Sequence, residues 1–336
     1  MRKTTVILLL LILAIIVLAV TPLVGMKTIS LGSVFGQGTD TTDADIFWKI
    51  RLPRVCVSFL VGAALAIGGM AFQAIFRNPL AEPFTLGVSS GASFGAALYV
   101  RFGIPFAVFG VSGISVSAFL GAILSILIVY GLTGLWKRFS AATPLLAGVA
   151  MSFFFSGAIL LIQYMSGVTD TFRILRWLMG AVEVVGFETV LDLFPFVVLG
   201  TVIILYHTRE LNLMTTGEDL ATSRGVNVKR TAWALFFAVS LMVGGVVAAC
   251  GPIGFVGIMM PHICRLMIGA DHRWLMPATF LFGGAFLTLC DTLSRMLIAP
   301  AEIPIGVITA LLGGPFFLWL LLRRSSEGGV LRCYER

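Results

Sequence analysis

The chain has 336 residues, of which 58% are hydrophobic and 12% charged. Soluble domains carry roughly 25% charged residues, so a chain with half that charge cannot cover a surface facing water, and a soluble fold is excluded. The net charge of +7 has a bland explanation in the Lys and Arg that gather in cytoplasmic loops of membrane proteins. The five cysteines, Cys56, Cys250, Cys264, Cys290 and Cys333, show no CxxC or Cys/His spacing of a zinc or haem site.

A bilayer core of about 30 Å takes about 20 apolar residues per helical span. Uncharged runs bounded by charges, Gly and Pro divide this chain into ten such spans. Met1-Arg2-Lys3 precedes an uncharged run from Thr4 to Met26. That run has full span length and no clear A-x-A cleavage site, so it reads as a retained first helix over about 5–24. The polar stretch 27–48 is expected to be an exposed loop with little core of its own. Spans two to five fall at about 55–76, 84–100, 106–130 and 143–165.

The mixed segment 166–187 has room for a short helix around Phe172–Leu178, at the surface or re-entrant. The sixth span is about 189–208, and a polar connection follows over 209–230. The uncharged run 231–264 is too long for one span, and Gly251-Pro252-Ile253-Gly254 divides it into a seventh and an eighth. The ninth is about 274–298, the tenth 305–322, and the tail 323–336 is polar.

Ten spans place both termini on one side. That side then holds 15 of the 23 Lys and Arg, which predicts cytoplasmic termini. The eight on the other side are Lys27, Lys49, Arg51, Arg54, Arg101, Arg173, Arg176 and Arg295. The small residues Gly62, Gly68, Gly69 and Gly87, Gly91, Gly95 predict close helix packing.

The sequence holds no G-x-x-x-x-G-K-[ST], H-E-x-x-H or G-x-S-x-G pattern and no paired carboxylates within a span, so it reads as a non-enzyme. His262 reads as a helix-end hydrogen-bonding group. Arg51-Leu52-Pro53-Arg54 forms a cationic pair, readable either as a headgroup anchor or as a docking point for acidic groups. Arg77–Pro83 reads as a tight turn between spans two and three. Thr216–Asn227 reads as a capped short helix: Thr216 precedes it, Glu218 and Asp219 fall in its first turn, and Gly225 ends it. Such a helix suits a membrane surface or a partner's groove. Asp291 and Arg295, four apart, read as an i,i+4 ion pair.

These segments together resemble the permease subunits of ABC importers for iron–siderophore complexes, haem and vitamin B12, the FecCD-type family. The stretches are RLPR at 51–54, GAALAIGG at 62–69, QAIFRNPLAEPFTLG at 73–87, LLAGVA at 145–150 and RWLMG at 176–180. They continue with GEDLATSRGVNV at 217–228, GPIGFVGIMMPHICR at 251–265, DHRWLMP at 271–277, DTLSR at 291–295 and EIPIGVITALLGGPFF at 302–317.

The resemblance implies an all-α, polytopic, type II importer permease of the vitamin B12 permease kind. It forms one transmembrane domain over 1–336, with a family-matching core over about 51–322. It also implies a bacterial inner-membrane location, a second permease subunit (the same chain or a paralogue), two cytoplasmic ATPases that bind ATP and Mg, and an external binding protein. It carries Arg51, Arg54 and Arg295 over as binding-protein docking residues. Gly217, Glu218, Ala221, Gly225 and Val226, within the connection 209–230, become ATPase-coupling residues. Ser140, Ala141, Ala142 and Thr143 fall near the cytoplasmic gate, where the vitamin B12 permease has small hydroxyl residues and this chain has Ala141 and Ala142. No cofactor, metal or nucleic acid is expected for the chain itself. The expected cargo is an iron chelate, with cobalamin or an oxyanion such as molybdate as the alternative within the family. A secondary transporter or channel is the alternative from another class.

Overall fold

The computed structural model describes residues 3–34, 41–103, 106–108, 110–134 and 142–326. In hydrocarbon each backbone N–H and C=O must find its partner within the protein, which leaves the helix as the economical way across. The described chain is accordingly almost all helix.

In order, α1 is Lys3–Val20, α2 Leu31–Val34, α3 Thr41–Asp45, α4 Leu52–Ile75 and α5 Val88–Phe102. A two-stranded antiparallel ribbon follows, β1 Ala107–Val108 and β2 Val111–Ser112, with Ala107 opposite Ser112. Then come α6 Gly113–Gly134, α7 Ala142–Tyr164, α8 Val168–Leu178, α9 Glu188–Tyr206, α10 Thr208–Met214 and α11 Glu218–Ser223. The chain continues through α12 Val228–Cys250, α13 Val256–Ile268, α14 His272–Met296 and α15 Ile305–Ser326.

Seven helices among the described residues are long and apolar enough to cross a bilayer, and α13 and α15 add shorter apolar helices. With α5, these fall on the ten expected spans. The fold is an all-α polytopic membrane architecture.

Helix α4 is the axis of the bundle, with almost every residue from Val55 to Ile75 buried. Glycine lets it approach two neighbours backbone to backbone. Gly62 lies against the Gly283 carbonyl of α14, and Gly69 against the Gly257 carbonyl of α13. The Gly91–Gly95 stripe of α5 likewise seats on α6, with Gly95 against the Ser117 carbonyl. Small residues are what such contacts require in lipid, where apolar surface alone gives helices no preference for one another. Phe72 and Phe236, with ring centroids 5.9 Å apart, join α4 to α12.

The helices α7 and α9 stand at the periphery. Phe153 is 76% exposed and Leu191 69%, an apolar outer face suited to lipid or a second membrane chain.

Two local expectations change. The polar stretch 27–48 contains α2 and α3, and Ile46–Arg51 forms a π-helical turn leading into α4. Lys27 donates to Asp43 at 2.7 Å, the Ser30 amide donates to the same carboxylate, and Trp48 Nε1 donates to the Val34 carbonyl. Second, Thr216 does not cap α11. Its hydroxyl donates back to the Leu213 carbonyl, and Gly217 occupies the cap position at φ +123°.

The glycine seam gives a direct test. A Cβ at Gly69 meets backbone, whereas one at Gly314 of α15 meets nothing within 4 Å. Gly69→Ala is expected to destabilise by about 1–3 kcal/mol, the range for overpacking. Gly314→Ala is expected to be neutral or slightly stabilising. Thermal unfolding of both variants in the same detergent checks the contrast.

Candidate functional site

At one end of the bundle the chain builds a small projecting knob from α10 and α11. Asn212 ties α10 down: its Nδ2 donates to Asp271 at 2.8 Å, and its Oδ1 accepts from the His272 amide at 2.8 Å. Helix α11 follows Gly217, and Gly225 at φ +86° turns the chain back toward α12. The Val226 amide donates to the Ala221 carbonyl, closing the turn.

Ala221 and Val226 point into the bundle and are buried. Asp219, Leu220, Thr222, Ser223, Arg224 and Gly225 are exposed. Of the five residues expected to couple to an ATPase, Ala221 and Val226 therefore brace the knob from beneath. Gly217 and Gly225 shape it, and Glu218 receives Arg77 at 3.5 Å. The exposed rim that a partner would touch, Leu220 and Arg224 above all, was missed because helix capping signals locate α11 but do not say which side faces out.

Of the gate segment, Ser140 and Ala141 lie outside the described residues. Ala142 opens α7, and Thr143 is half-buried.

Beneath the knob, the turn after α4 reaches into the bundle. Arg77 has φ +49°, and Asn78 Oδ1 accepts the Leu80 amide at 2.9 Å, so the reversal is set by a local Asx turn. Glu82 follows, buried, with its carboxyl group accepting the Phe255 amide. Phe255, at φ +70°, caps the N-terminus of α13, where the chain restarts as a helix after the Gly251–Gly254 break. Nearby Gln73 Nε2 donates to the Gly257 carbonyl at 3.2 Å, and Arg265 donates to Gln73 Oε1 at 3.0 Å. The interruption is thus held by side chains of α4 and its turn. His262, on α13, lies edge-on to Phe316 of α15.

At the opposite end, four charged side chains converge, with Arg51 beside them. Arg54 Nε donates to both oxygens of Asp291, at 3.0 and 3.2 Å, and its Nη1 donates to Glu302 at 2.9 Å. Arg295 Nε lies 3.3 Å from Asp291 Oδ2, which confirms the i,i+4 pair. Arg295 also reaches the Thr292 hydroxyl and the Val24 carbonyl. Arg51 turns away from the others and donates to the carbonyls of Pro22, Leu23 and Lys27, the last at 2.6 Å.

Asp291 is fully buried, and the two arginines compensate it. The three arginines expected at a docking surface therefore all have internal partners. Arg51 and Arg295 are buried and brace α1, α4 and α14. Arg54 alone reaches toward an exposed carboxylate. Beside this end lies a cleft of about 590 Å³, lined by Tyr99, Arg173, Arg176, Trp177, Glu183 and Cys250.

The profile of the FecCD transport family matches residues 7–323. The chain belongs to the FecCD transport family. Several curated relatives are permease proteins matched over most of their length. This FecCD permease is 43% identical to an uncharacterized ABC transporter permease of Bacillus subtilis, over 88% of this chain and 85% of the relative. It is 37% identical to the hemin transport system permease of Yersinia pestis, covering 90% and 91% of the two chains. It is 39% identical to the cobalamin import permease of Halobacterium salinarum, covering 89% and 79%. A solved ABC transporter provisionally classed as metal-chelate type, in an inward-facing conformation, superposes with a TM-score of 0.85 at 32% identity, covering 95% of this chain and 99% of that one.

Glu82 gives this permease a pH signature. Burial pushes its carboxyl up from 4.5 to about 8. A raised carboxyl pKa means that the folded state holds the proton more tightly than the unfolded one. The contribution is then fully present below about 4.5 and is lost as pH rises through 8. Glu82→Gln, which mimics the protonated form, is expected to match the parent at pH 5 and to be the more stable of the two at pH 9. Unfolding temperatures of both across that range check it.

Proposed function

We propose that this permease is the membrane subunit of an ATP-driven importer that moves an iron chelate, an iron–siderophore complex or haem, across the bacterial cytoplasmic membrane. The knob end, with the start of α1 and the end of α15, faces the cytoplasm, and the Arg54 end faces outward. A second permease subunit, the same chain or a paralogue, lies against its apolar outer face. Two ATPases that bind ATP and Mg seat on the knobs, and an external binding protein docks at the Arg54 end.

The observation that carries this reading is the knob. Two buried side chains, Ala221 and Val226, anchor a short helix whose Asp219, Leu220, Thr222 and Ser223 are exposed. That construction holds a rigid projection against force, as a mechanical contact with a nucleotide-driven partner demands. The exposed Arg209, Arg224, Lys229 and Arg230 around it support a cytoplasmic assignment. For the cargo, support comes from the hemin relative, from an iron(3+)-hydroxamate permease of Bacillus subtilis at 32% identity and from the metal-chelate-type structure.

Asp291, the buried carboxylate of α14, is held by Arg54 and Arg295. That pairing suits a structural clamp better than a proton-carrying site, and ATP coupling better than proton coupling.

The test is uptake into proteoliposomes holding the permease with its ATPase and binding protein. Ferric siderophore or haem is expected to accumulate only with ATP, and a proton ionophore at fixed ATP is expected to leave uptake running. Cobalamin and molybdate serve as the comparison cargoes, and preferential uptake of either would reassign the substrate. Uptake that follows the proton gradient and ignores ATP would sink the importer reading. Gly225→Asp, at a φ of +86° with open space around it, is expected to distort the knob rather than the core. It should lower uptake several-fold and weaken retention of the ATPase on an affinity column.

A further inference from the structure

The guanidinium of Arg54 has two kinds of partner. Asp291 is fully buried and shared between Arg54 and Arg295, so loss of Arg54 would leave it only half compensated, away from water. Glu302 is different. Its side chain is 41% exposed, and it approaches Arg54 from the surface at 2.9 Å. A carboxylate half in water loses little when it leaves an ion pair, because solvent replaces the interaction. Arg54 itself is only 12% exposed, so most of the guanidinium stays fixed by Asp291 whichever carboxylate occupies its outer edge.

The charges set the direction of any exchange. Arg54, Arg295, Asp291 and Glu302 sum to zero when Glu302 is in place. Its departure leaves one uncompensated positive charge at the mouth of the bundle, which a carboxylate from outside would neutralise with bidentate-capable geometry. Glu302 also belongs to the connection into α15. That connection is held close by: the Ile303 amide donates to the Ser294 carbonyl, and Gly306 rests on the Met179 and Pro252 carbonyls. The segment Glu302–Gly306 thus touches both the end of α8 and the Gly251–Gly254 break.

We propose that Glu302 is an internal placeholder for the docking partner's carboxylate: an acidic side chain of the external binding protein displaces it from Arg54. This inference rests on the docking reading above and adds to it a competitor residue within the permease. The partner is identified by its chemistry, a protein surface presenting carboxylates. Of the three outer arginines, only Arg54 takes part in the exchange, since Arg51 and Arg295 are buried against backbone carbonyls and Asp291.

The experiment measures capture of the fluorescently labelled cognate binding protein by the full-length permease–ATPase complex in nanodiscs, at low and high salt. Glu302→Gln removes the competing charge and is expected to tighten capture about two- to fivefold at low salt, the range a single solvated ion pair allows. The gain is expected to vanish at high salt. Glu302→Asp keeps the carboxylate and should capture like the parent. In the absence of any partner, the arginine reagent phenylglyoxal should modify Arg54 faster in Glu302→Gln than in the parent, read by peptide mass mapping.

Arg54→Lys and Arg54→Gln, checked for unfolding temperature, separate the two layers. If both capture like the parent, the docking reading fails and the placeholder falls with it. If both weaken capture while Glu302→Gln leaves it unchanged or weaker, docking at Arg54 stands and the placeholder is overturned.

Discussion

The close approach of α4 to α13 and α14 over glycine is the contact on which the rest of the molecule depends. Lipid tails are as apolar as leucine, so helices in a bilayer gain little from burying apolar surface against each other. What selects one arrangement is contact at distances that only a missing Cβ allows. Gly62 and Gly69 place two backbone surfaces directly on α4. Once α4 is fixed, its two ends are fixed as well. Arg54 is carried to Asp291 at one end, and the Arg77–Glu82 turn is carried to the knob and to the start of α13 at the other.

Polar chemistry is correspondingly confined. The described carboxylates that are strongly buried each meet a specific partner. Asp291 has two arginines, Glu82 has the Phe255 amide, and Asp43 has Lys27 and the Ser30 amide. Asp291 does mechanical work by joining α4 to α14. Glu82 does the same for the turn beneath the knob and the restarted helix. The two ends of the molecule thus share one design, in which a buried acid holds together elements far apart in sequence.

The spans were legible because each is an uncharged run whose boundaries are written in charges, Gly and Pro. The Gly251–Gly254 break, the helix at Glu218 and the i,i+4 pairing of Asp291 with Arg295 were legible for the same reason, since their signals are local. What stayed hidden is non-local. Arg51 donates to three carbonyls more than twenty residues away, and a carbonyl is present at every position and marks none. Arg54 meets Asp291 across 237 positions and Glu302 across 248, so neither partner stands out among the acidic residues. The direction in which α11 presents Leu220 and Arg224 was hidden too, because a helix of six residues has no periodicity long enough to define a face.

The broken helix has one more consequence. At 13 residues, α13 is about 20 Å long, and α5, at 15 residues, is little longer. Neither reaches across a hydrocarbon layer of about 30 Å. Both are packed inside the bundle, so the mismatch is hidden from lipid, while α7 and α9, on the outside, are longer. The thickness the bilayer must match is therefore dictated by the outer ring alone. The short inner helices are held by protein instead, α13 on Gly69 of α4 and α5 on Ser117 of α6, so their length answers to glycine packing within the bundle and not to lipid.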